Sequence, residues 1–403
     1  MGNDYSGYWK YYSDSFGWNE TAFFQPLDDL HTKDVLKSAG LSEAQANGLI
    51  ASGYVCVPHS DVVIDRFYGG PLASSDSVSR FLPDRIQELF SEPRSRAWVK
   101  TANSLEELAE IIDETKSRSR KPILFRGQRQ NYTVNREINN PNFTIPNVGE
   151  VSLLSSFWRK AYAINRNCFC DFHSLSLTEW SDIFYSAYDL NEIERRQKAA
   201  IANGEWIYSA QDMADSDDSL LSEFGNHRLD LDMGMNFNLS DTLSTLLQHY
   251  GLMSTVIDLT SSVDVALFFA THKYDKHDGR DRYNFVGTNN GKSVLYLIQA
   301  DKNEMVAHAA AERVLSKLTP ERPLRQHCVI SRSSAFSINL PAFFLLGIVY
   351  LNFQVDGSNS KRQVASYFPN ANEDKFLAAL KSSIRYSRHI TDFGPYEDRC
   401  TKR

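Results

Sequence analysis

The segment 247–260, Leu-Gln-His-Tyr-Gly-Leu-Met-Ser-Thr-Val-Ile-Asp-Leu-Thr, constrains the possible folds of this chain more than any other stretch. Apolar side chains recur at helical spacing over residues 239–250, and Gly251 follows where a helix favours a left-handed terminating residue. Residues 256–257 predict a short strand, and Ser262 is a candidate N-cap for a second, apolar helix. Polar groups often converge on a cleft at such junctions of helix, turn and strand.

This segment is rich in polar and titratable side chains for a stretch that is otherwise apolar. They are His249, Tyr250, Ser254, Thr255, Asp258 and Thr260. We take them as candidates for a functional site, and several have a structural alternative. His249 can be a hydrogen-bonded histidine at a helix end, Tyr250 can be a core residue, and Asp258 can cap the following helix.

Composition excludes several classes of protein. The net charge of −7 and pI near 5.8 argue against general binding to nucleic acids or membrane surfaces. No apolar run reaches the roughly 18 residues that span a bilayer, and no signal peptide opens the chain. The five cysteines are scattered and form no zinc-binding spacing. We therefore expect a cytoplasmic protein with free thiols, no metal site and no membrane contact.

Two units are predicted from the organisation of the chain. Glycine and serine residues between 69 and 79 indicate a loop near a boundary, and the pattern of a second unit begins near residue 97. We therefore predict an N-terminal module over residues 1–96 and a second domain over residues 97–403. The patterns predict an α+β fold, with a mixed or antiparallel sheet and flanking helices.

Some local predictions cover longer stretches. Helices are expected over residues 80–90, 151–200 and 304–318, and a polar loop is expected over residues 275–291.

Two motifs, in the same order, resemble the signatures of the FRG domain family. The first is Phe-Arg-Gly-Gln at 125–128, and the second is Gln-His-Tyr-Gly-Leu at 248–252, followed by Ala-Leu-Phe-Phe-Ala at 266–270. Asp258 and Thr260 also match the second signature. The resemblance extends over about residues 100–390. The chain departs from the family pattern at Met253, Ser254, Thr255, Leu259 and Cys328.

A more distant resemblance is to arginine-type ADP-ribosyltransferases. Their site also begins with a strand that ends in aromatic-Arg-Gly, continues with a Ser/Thr strand and finishes with a glutamate on a later strand. Arg126, Ser254 with Thr255, and Gln326 follow that order here, although Gln326 cannot replace a carboxylate as an ionic group. The resemblance implies an ADP-ribosyltransferase-like core and NAD as the substrate.

This resemblance implies a role for each residue on the NAD-binding side. Arg126 would bind phosphate or ribose oxygens, and Gln128 would lie beside it. Gly127 would let the backbone approach the nicotinamide amide. A hydroxyl from Ser254 or Thr255 would position a ribose. The structural alternative for Arg126 is an ion pair with the aspartate near the end of the second motif.

The remaining candidates are assigned by the same analogy. Tyr250 would stack on the nicotinamide ring, and His249 would bond a ribose hydroxyl or carry a proton. Asp258 and Glu223 are the candidate carboxylates, and Gln326 would act as a hydrogen-bonding substitute.

We hypothesise an NAD-dependent ADP-ribosyltransferase-like enzyme that modifies a protein or nucleic acid, as a bacterial toxin or antiphage effector with an antitoxin or regulatory partner. The alternative is a non-catalytic nucleotide-sensing or protein-interaction module that uses the aromatic residues before position 25 as its partner surface. A nuclease is a third, weaker hypothesis. Phosphate-binding loops of the P-loop and Rossmann types do not occur in the sequence.

Overall fold

The N-terminal part of the chain forms short helices and a three-stranded sheet. The computed structural model describes residues 29–56, 63–65, 80–81, 85–155, 177–237, 245–246, 248–251, 257–277, 280–300, 305–307, 315–331 and 339–382. The helices here are α1 (Asp29–Ser38), α2 (Glu43–Ala51) and α3 (Ile86–Leu89), and the strands are β1 (Tyr54–Cys56), β2 (Val63–Asp65) and β3 (Arg80–Phe81). Gly40, with φ of +91°, ends α1 as a glycine can.

A buried ion network joins these elements to the next part of the chain. That part contains a small sheet of β6 (Thr133–Val134), β7 (Thr144–Ile145) and β8 (Gly149–Val151). Arg136 donates to Asp65 at 2.7 Å and to Glu150 at 2.8 Å. Both carboxylates are fully buried, so replacing the arginine would leave two charges without compensation. This network joins residues on both sides of the boundary predicted near residue 97. The division into two units therefore stays a prediction.

The main sheet has seven strands in the order β13-β14-β9-β5-β12-β15-β4. Its members are β4 (Trp98–Ala102), β5 (Ile123–Gln128), β9 (Asp258–Thr260), β12 (Val294–Gln299), β13 (Met305–Ala307), β14 (Cys328–Ser331) and β15 (Leu345–Leu351). β15 and β4 are parallel and the other neighbours are antiparallel. This confirms the predicted α+β class with a mixed sheet.

Two helices cover one face of this sheet. They are α4 (Leu105–Arg118) and α9 (Val263–Thr271). Ser104 and Ser262 cap them, the second as predicted, and accept from the backbone nitrogens of Glu107 and Val265. Leu108 of α4, Ala266 of α9 and Phe125 of β5 belong to one buried cluster, so burial of apolar surface holds this layer together.

The other helices form a second layer and a set of short connections. They are α5 (Leu177–Tyr185), α6 (Leu190–Ala202), α7 (Ala210–Ala214), α8 (Ser219–Phe237), α10 (Glu321–Arg325), α11 (Leu340–Phe343), α12 (Ser360–Tyr367) and α13 (Lys375–Ser382). Trp180, Phe184 and Phe376 pack together in their core.

Several local predictions are wrong. Residues 80–81 are strand, and the helix expected there is confined to Ile86–Leu89. Residues 305–307 pair with β14 instead of joining a helix. Residue 151 ends a strand, so the helix expected from that position begins in the described part of the chain only at Leu177. Over short runs, the apolar pattern of a strand resembles that of a helix. In each case here, pairing with a neighbouring strand outweighs the helical spacing.

The expected polar loop over 275–291 is also wrong, since most of it is a hairpin. Strands β10 (His272–His277) and β11 (Arg280–Phe285) are antiparallel, with His272 opposite Phe285 and His277 opposite Arg280. Asp275 is paired with Arg282 in the register of this ladder. The sequence Asp278-Gly279 between the strands is a strong hairpin signal that polar composition concealed.

Gly127 permits close packing between β5 and α9. A Cβ atom at this position would overlap the carbonyl oxygen of Ala266 and lie 3.0 Å from the backbone nitrogen of Ala270. The close approach that this glycine allows in the structure is therefore that of a helix backbone. Its predicted approach to a cofactor stays a prediction.

We predict that Gly127→Ala lowers the free energy of unfolding by roughly 1–3 kcal/mol, because the helix must move away from the strand. Gly48→Ala is the matched control. Its Cβ atom would meet Ile138 at an ordinary 3.4 Å, and alanine is favoured over glycine inside a helix. Urea unfolding of both variants gives the comparison, and equal stabilities would contradict this packing.

Candidate functional site

A cleft opens where strands β5 and β9 separate. β9 pairs with β14 along its length, whereas Phe125 opposite Thr260 is the pair that joins it to β5 in the described residues. The cavity measures about 510 Å³. Its described lining consists of Phe125, Arg126, Gly127, Gln128, Arg129, Tyr132, Gln248, His249, Gly251, Asp258, Leu259, Thr260, Val265, Ala266, Phe269, His272, Lys273, Tyr274, Tyr283, Gln326, Cys328 and Phe368.

Arg126 bridges the opening between the two strands. Its Nη1 atom donates to the backbone oxygen of Asp258 at 2.6 Å and to the Oδ1 atom of the same residue at 3.0 Å. Gln248 also donates to that Oδ1 atom at 3.3 Å. The structural alternative for Arg126, an ion pair with Asp258, is therefore present, and both residues also line the cleft.

Asp258 is held in its charged form. Burial opposes ionisation of this carboxyl, but the Arg126 guanidinium and the His249 imidazole outweigh it and hold the pKa of Asp258 below its usual value. Much of this charge is neutralised by Arg126. The carboxylate can therefore orient or stabilise a cationic group, but its lowered pKa makes it a weak base.

His249 contributes a buried imidazole to the floor of the cleft. Only 5% of the residue is exposed, and its Nε2 atom has no hydrogen-bond partner among the described residues. Burial lowers the pKa of His249, Arg322 acts in the same direction, and Asp258 and Gln326 oppose the shift. The imidazole is therefore neutral near pH 7 and can accept or donate one hydrogen bond.

Gln326 and Thr260 line the same end of the cleft. The Gln326 amide donates to the backbone oxygen of Tyr367 at 3.0 Å. Thr260 donates to the backbone oxygen of Gln326 at 2.8 Å and accepts from the backbone nitrogen of Ser262 at 3.0 Å. Thr260 thus connects β9 to the residue that ends α10 and holds the backbone of Ser262, the N-cap of α9.

The structure does not bring every predicted site residue to the cleft. Tyr250 lies outside the described lining, because its ring packs on Phe376 and its hydroxyl donates to Asp374 at 2.6 Å. Glu223 also lies outside the lining and pairs with Lys317 at 2.8 Å. The predicted residues Ser254 and Thr255 fall outside the described part of the chain.

Other lining residues were missed or not singled out from the sequence. Arg129 and Tyr132 were not among the predicted site residues. Tyr274 and Tyr283 belong to the hairpin that was expected to be a loop. The Asp-Gly dipeptide could have revealed the hairpin, but no local pattern shows that it lies against β5.

Four residues of the cleft carry buried polar atoms without partners. These are Arg126 Nε, Gln128 Oε1, Arg129 Nε and His249 Nε2, judged on the residues that the structure describes. Buried polar groups in proteins are normally satisfied, so a cluster of exceptions around one cavity indicates a ligand or ordered water. Two of the four atoms belong to arginine side chains.

Charge in the cleft is opposite in sign to that of the whole chain. Its described lining includes the cations Arg126, Arg129 and Lys273 and the single carboxylate of Asp258, whereas the chain carries a net charge of −7. Arg129 forms no ion pair within the described residues. A positive cleft in an acidic protein attracts an anionic ligand.

One comparison with known proteins matches part of this chain to a family. The family model for the FRG domain matches residues 188–279. The chain therefore contains an FRG domain in the region of the second motif, and the first motif at 125–128 lies outside the match. The match includes His249, Asp258 and the start of the hairpin, whereas Arg126 is contributed by the preceding part of the chain. No curated protein and no solved structure shows a significant match to it.

Two further features were sought in the described residues. No helix there is long and apolar enough to cross a membrane. No group of three or more His, Cys, Asp or Glu side chains there is arranged to hold a metal ion.

We predict that protonation of His249 destabilises the fold. A histidine whose folded-state pKa is lowered binds fewer protons than in the unfolded chain, so stability falls as pH drops below about 6.5. Replacing the residue by glutamine should reduce this loss by up to about 1.4 kcal/mol per pH unit. Urea unfolding of His249→Gln between pH 7.5 and about pH 5 provides the measurement.

The control for this experiment is His327→Asn, since His327 is exposed and asparagine tolerates its φ of +46°. His327 does not belong to the described lining of the cleft, so this variant shows the effect of losing a histidine outside it. An unchanged pH dependence in His249→Gln would show that its imidazole is not the group that resists protonation.

Proposed function

We propose that this chain is an NAD-dependent ADP-ribosyltransferase that modifies a macromolecule. The supporting observation is the set of unpartnered buried atoms on Arg126, Gln128, Arg129 and His249 around one positively charged cleft. NAD offers the matching groups: a pyrophosphate for guanidinium groups, ribose hydroxyls for an imidazole or amide, and a carboxamide. A cavity of about 510 Å³ is within the usual range of small-molecule sites.

The reaction requires breaking the bond between the nicotinamide nitrogen and the ribose C1′ atom. Nicotinamide leaves with the bonding electrons and becomes neutral, and positive charge develops on the ribose. The Asp258 carboxylate, although shared with Arg126, lies where it can stabilise that charge. An acceptor nucleophile then bonds to C1′ and loses a proton, for which the neutral imidazole of His249 is the candidate base.

Gln128 and Gln326 provide the orienting groups in this scheme. Each has an amide that can bond ribose hydroxyls or the nicotinamide carboxamide. Tyr250 packs in the helical core. In this scheme the tyrosines that line the cleft take its expected role of stacking on the nicotinamide ring. The proposal also covers the fold, in which the divided sheet would be an ADP-ribosyltransferase-like core around NAD.

The biological setting belongs to the same proposal. A cytoplasmic enzyme that modifies a protein or nucleic acid would suit a bacterial toxin or antiphage effector, and an antitoxin or regulatory protein would restrain it. The support for this setting is the proposed chemistry alone. The acceptor is identified by the labelling experiment below.

We predict that the purified chain transfers label from adenine-labelled NAD to a macromolecule in cell extract, and that His249→Gln lowers the rate by about 100-fold or more. Gln128→Leu should also lower it. Both variants keep the Arg126–Asp258 pair, whereas Arg126→Ala would leave a buried carboxylate without its cation and could unfold the chain. Digestion of the product with protease or nuclease identifies the acceptor.

Exposed His327 again provides the control, because His327→Asn should keep full activity. Absence of both NAD consumption and label transfer in the folded chain would contradict the proposed function, as would full activity in His249→Gln.

A second candidate is a nucleotide-binding module without catalysis. It is favoured by the state of Asp258, which is the carboxylate of the described lining and is already neutralised by Arg126. Titration calorimetry separates the two candidates. The module binds NAD and leaves it intact, whereas the enzyme consumes it.

A further inference from the structure

The cleft has two chemically distinct ends. At one end, His249, Gln326 and Asp258 surround the gap beside β14. Elsewhere in the lining, Arg129 follows the last residue of β5. The Ser293 hydroxyl donates to the backbone oxygen of Ala270, in the helix that precedes the hairpin, at 2.7 Å and lies 3.5 Å from the backbone oxygen of Arg129.

Arg129 is the cation that remains available for an anionic ligand. The Nη1 atom of Arg126 is used by Asp258 at 3.0 Å, and Lys273 is paired with Asp275 at 2.9 Å. Arg129 has no ion pair among the described residues, and its Nε atom is buried without a partner. Its backbone is fixed by Asn289, whose amide donates to the Arg129 carbonyl at 2.8 Å. A positioned, unpaired guanidinium is a strong phosphate ligand.

Aromatic rings of the hairpin also line the cleft. Tyr283 stacks on Phe368 with ring centroids 4.9 Å apart, and Tyr274 lies 5.5 Å from Tyr283. Tyr274 and Tyr132 remain 45% and 43% exposed although both line the cleft. Exposed tyrosines on a packed aromatic support offer faces on which a heterocyclic base can stack.

We infer that the hairpin end of the cleft is a nucleoside-diphosphate site, in which Arg129 binds the phosphates and Tyr274 contributes the stacking surface for the base. This inference deepens the proposed function, because it assigns the ADP part of the ligand to the hairpin end and the reacting ribose to the His249 end. It also transfers the phosphate-binding role from Arg126, whose guanidinium is engaged with Asp258, to Arg129.

The inference is tested by titrating the folded full-length chain with ADP and with adenosine. Arg129→Gln should weaken ADP binding roughly tenfold and leave adenosine binding unchanged, because it removes only the phosphate contact. Tyr274→Ala should weaken both ligands by a similar factor, roughly fivefold, because both carry the base. The matched control is Arg120→Gln, which alters an exposed arginine outside the cleft lining and should bind both ligands normally.

Thermal unfolding of each variant confirms that the fold is retained. Undetectable binding of ADP, or equal effects of Arg129→Gln and Arg120→Gln, would overturn the inference.

Failure of this inference and failure of the proposed function give different results. If Arg129→Gln selectively weakens ADP but the chain never consumes NAD, the site is correct and the activity is wrong. If NAD is consumed and Arg129→Gln leaves its KM unchanged, the activity is correct and the phosphate assignment is wrong. If both are correct, the variant raises KM for NAD roughly tenfold with little change in kcat.

Discussion

Arg126 spans the opening between β5 and β9 and donates to both the carboxylate and the backbone oxygen of Asp258. These contacts occupy the place where strand pairing would otherwise continue. The sheet remains connected across the gap, and a cavity remains beside it. The connection across the gap and the charge of Asp258 therefore depend on one side chain, for which the sequence left both a ligand contact and an ion pair with Asp258 open.

The same interaction explains why some polar atoms of the cleft have hydrogen-bond partners in the protein and others do not. Arg126 satisfies Asp258, whereas polar atoms of Gln128, Arg129 and His249 stay without partners within the described residues. Buried polar atoms without hydrogen-bond partners lower the stability of a fold. A ligand that supplies the missing acceptors and donors removes that cost. A positive lining in a chain of net charge −7 selects anions among such ligands.

The sequence was most informative where local chemistry determines structure. The capping serine at 262 and the glycine at 251 predicted a helix start and a helix end correctly. The two motifs brought Arg126 and His249 to one cavity although about 120 residues separate them. Local patterns could not show which face of a helix end a side chain takes, so Tyr250 was left as either a ligand contact or a core residue, and it packs on Phe376. Nor could they reveal the hairpin as a wall of the cleft, because that position is determined by tertiary contacts.

The measurement that tests this account most directly is a crystal structure of the chain grown with ADP-ribose. The account predicts ligand density in the gap between β5 and β9, with the pyrophosphate at Arg129, a ribose hydroxyl within hydrogen-bond distance of His249, and the Arg126–Asp258 pair intact. Density for water alone in the cleft, with ligand bound elsewhere or not at all, would contradict it. So would a structure in which Arg126 leaves Asp258 to bind the phosphates.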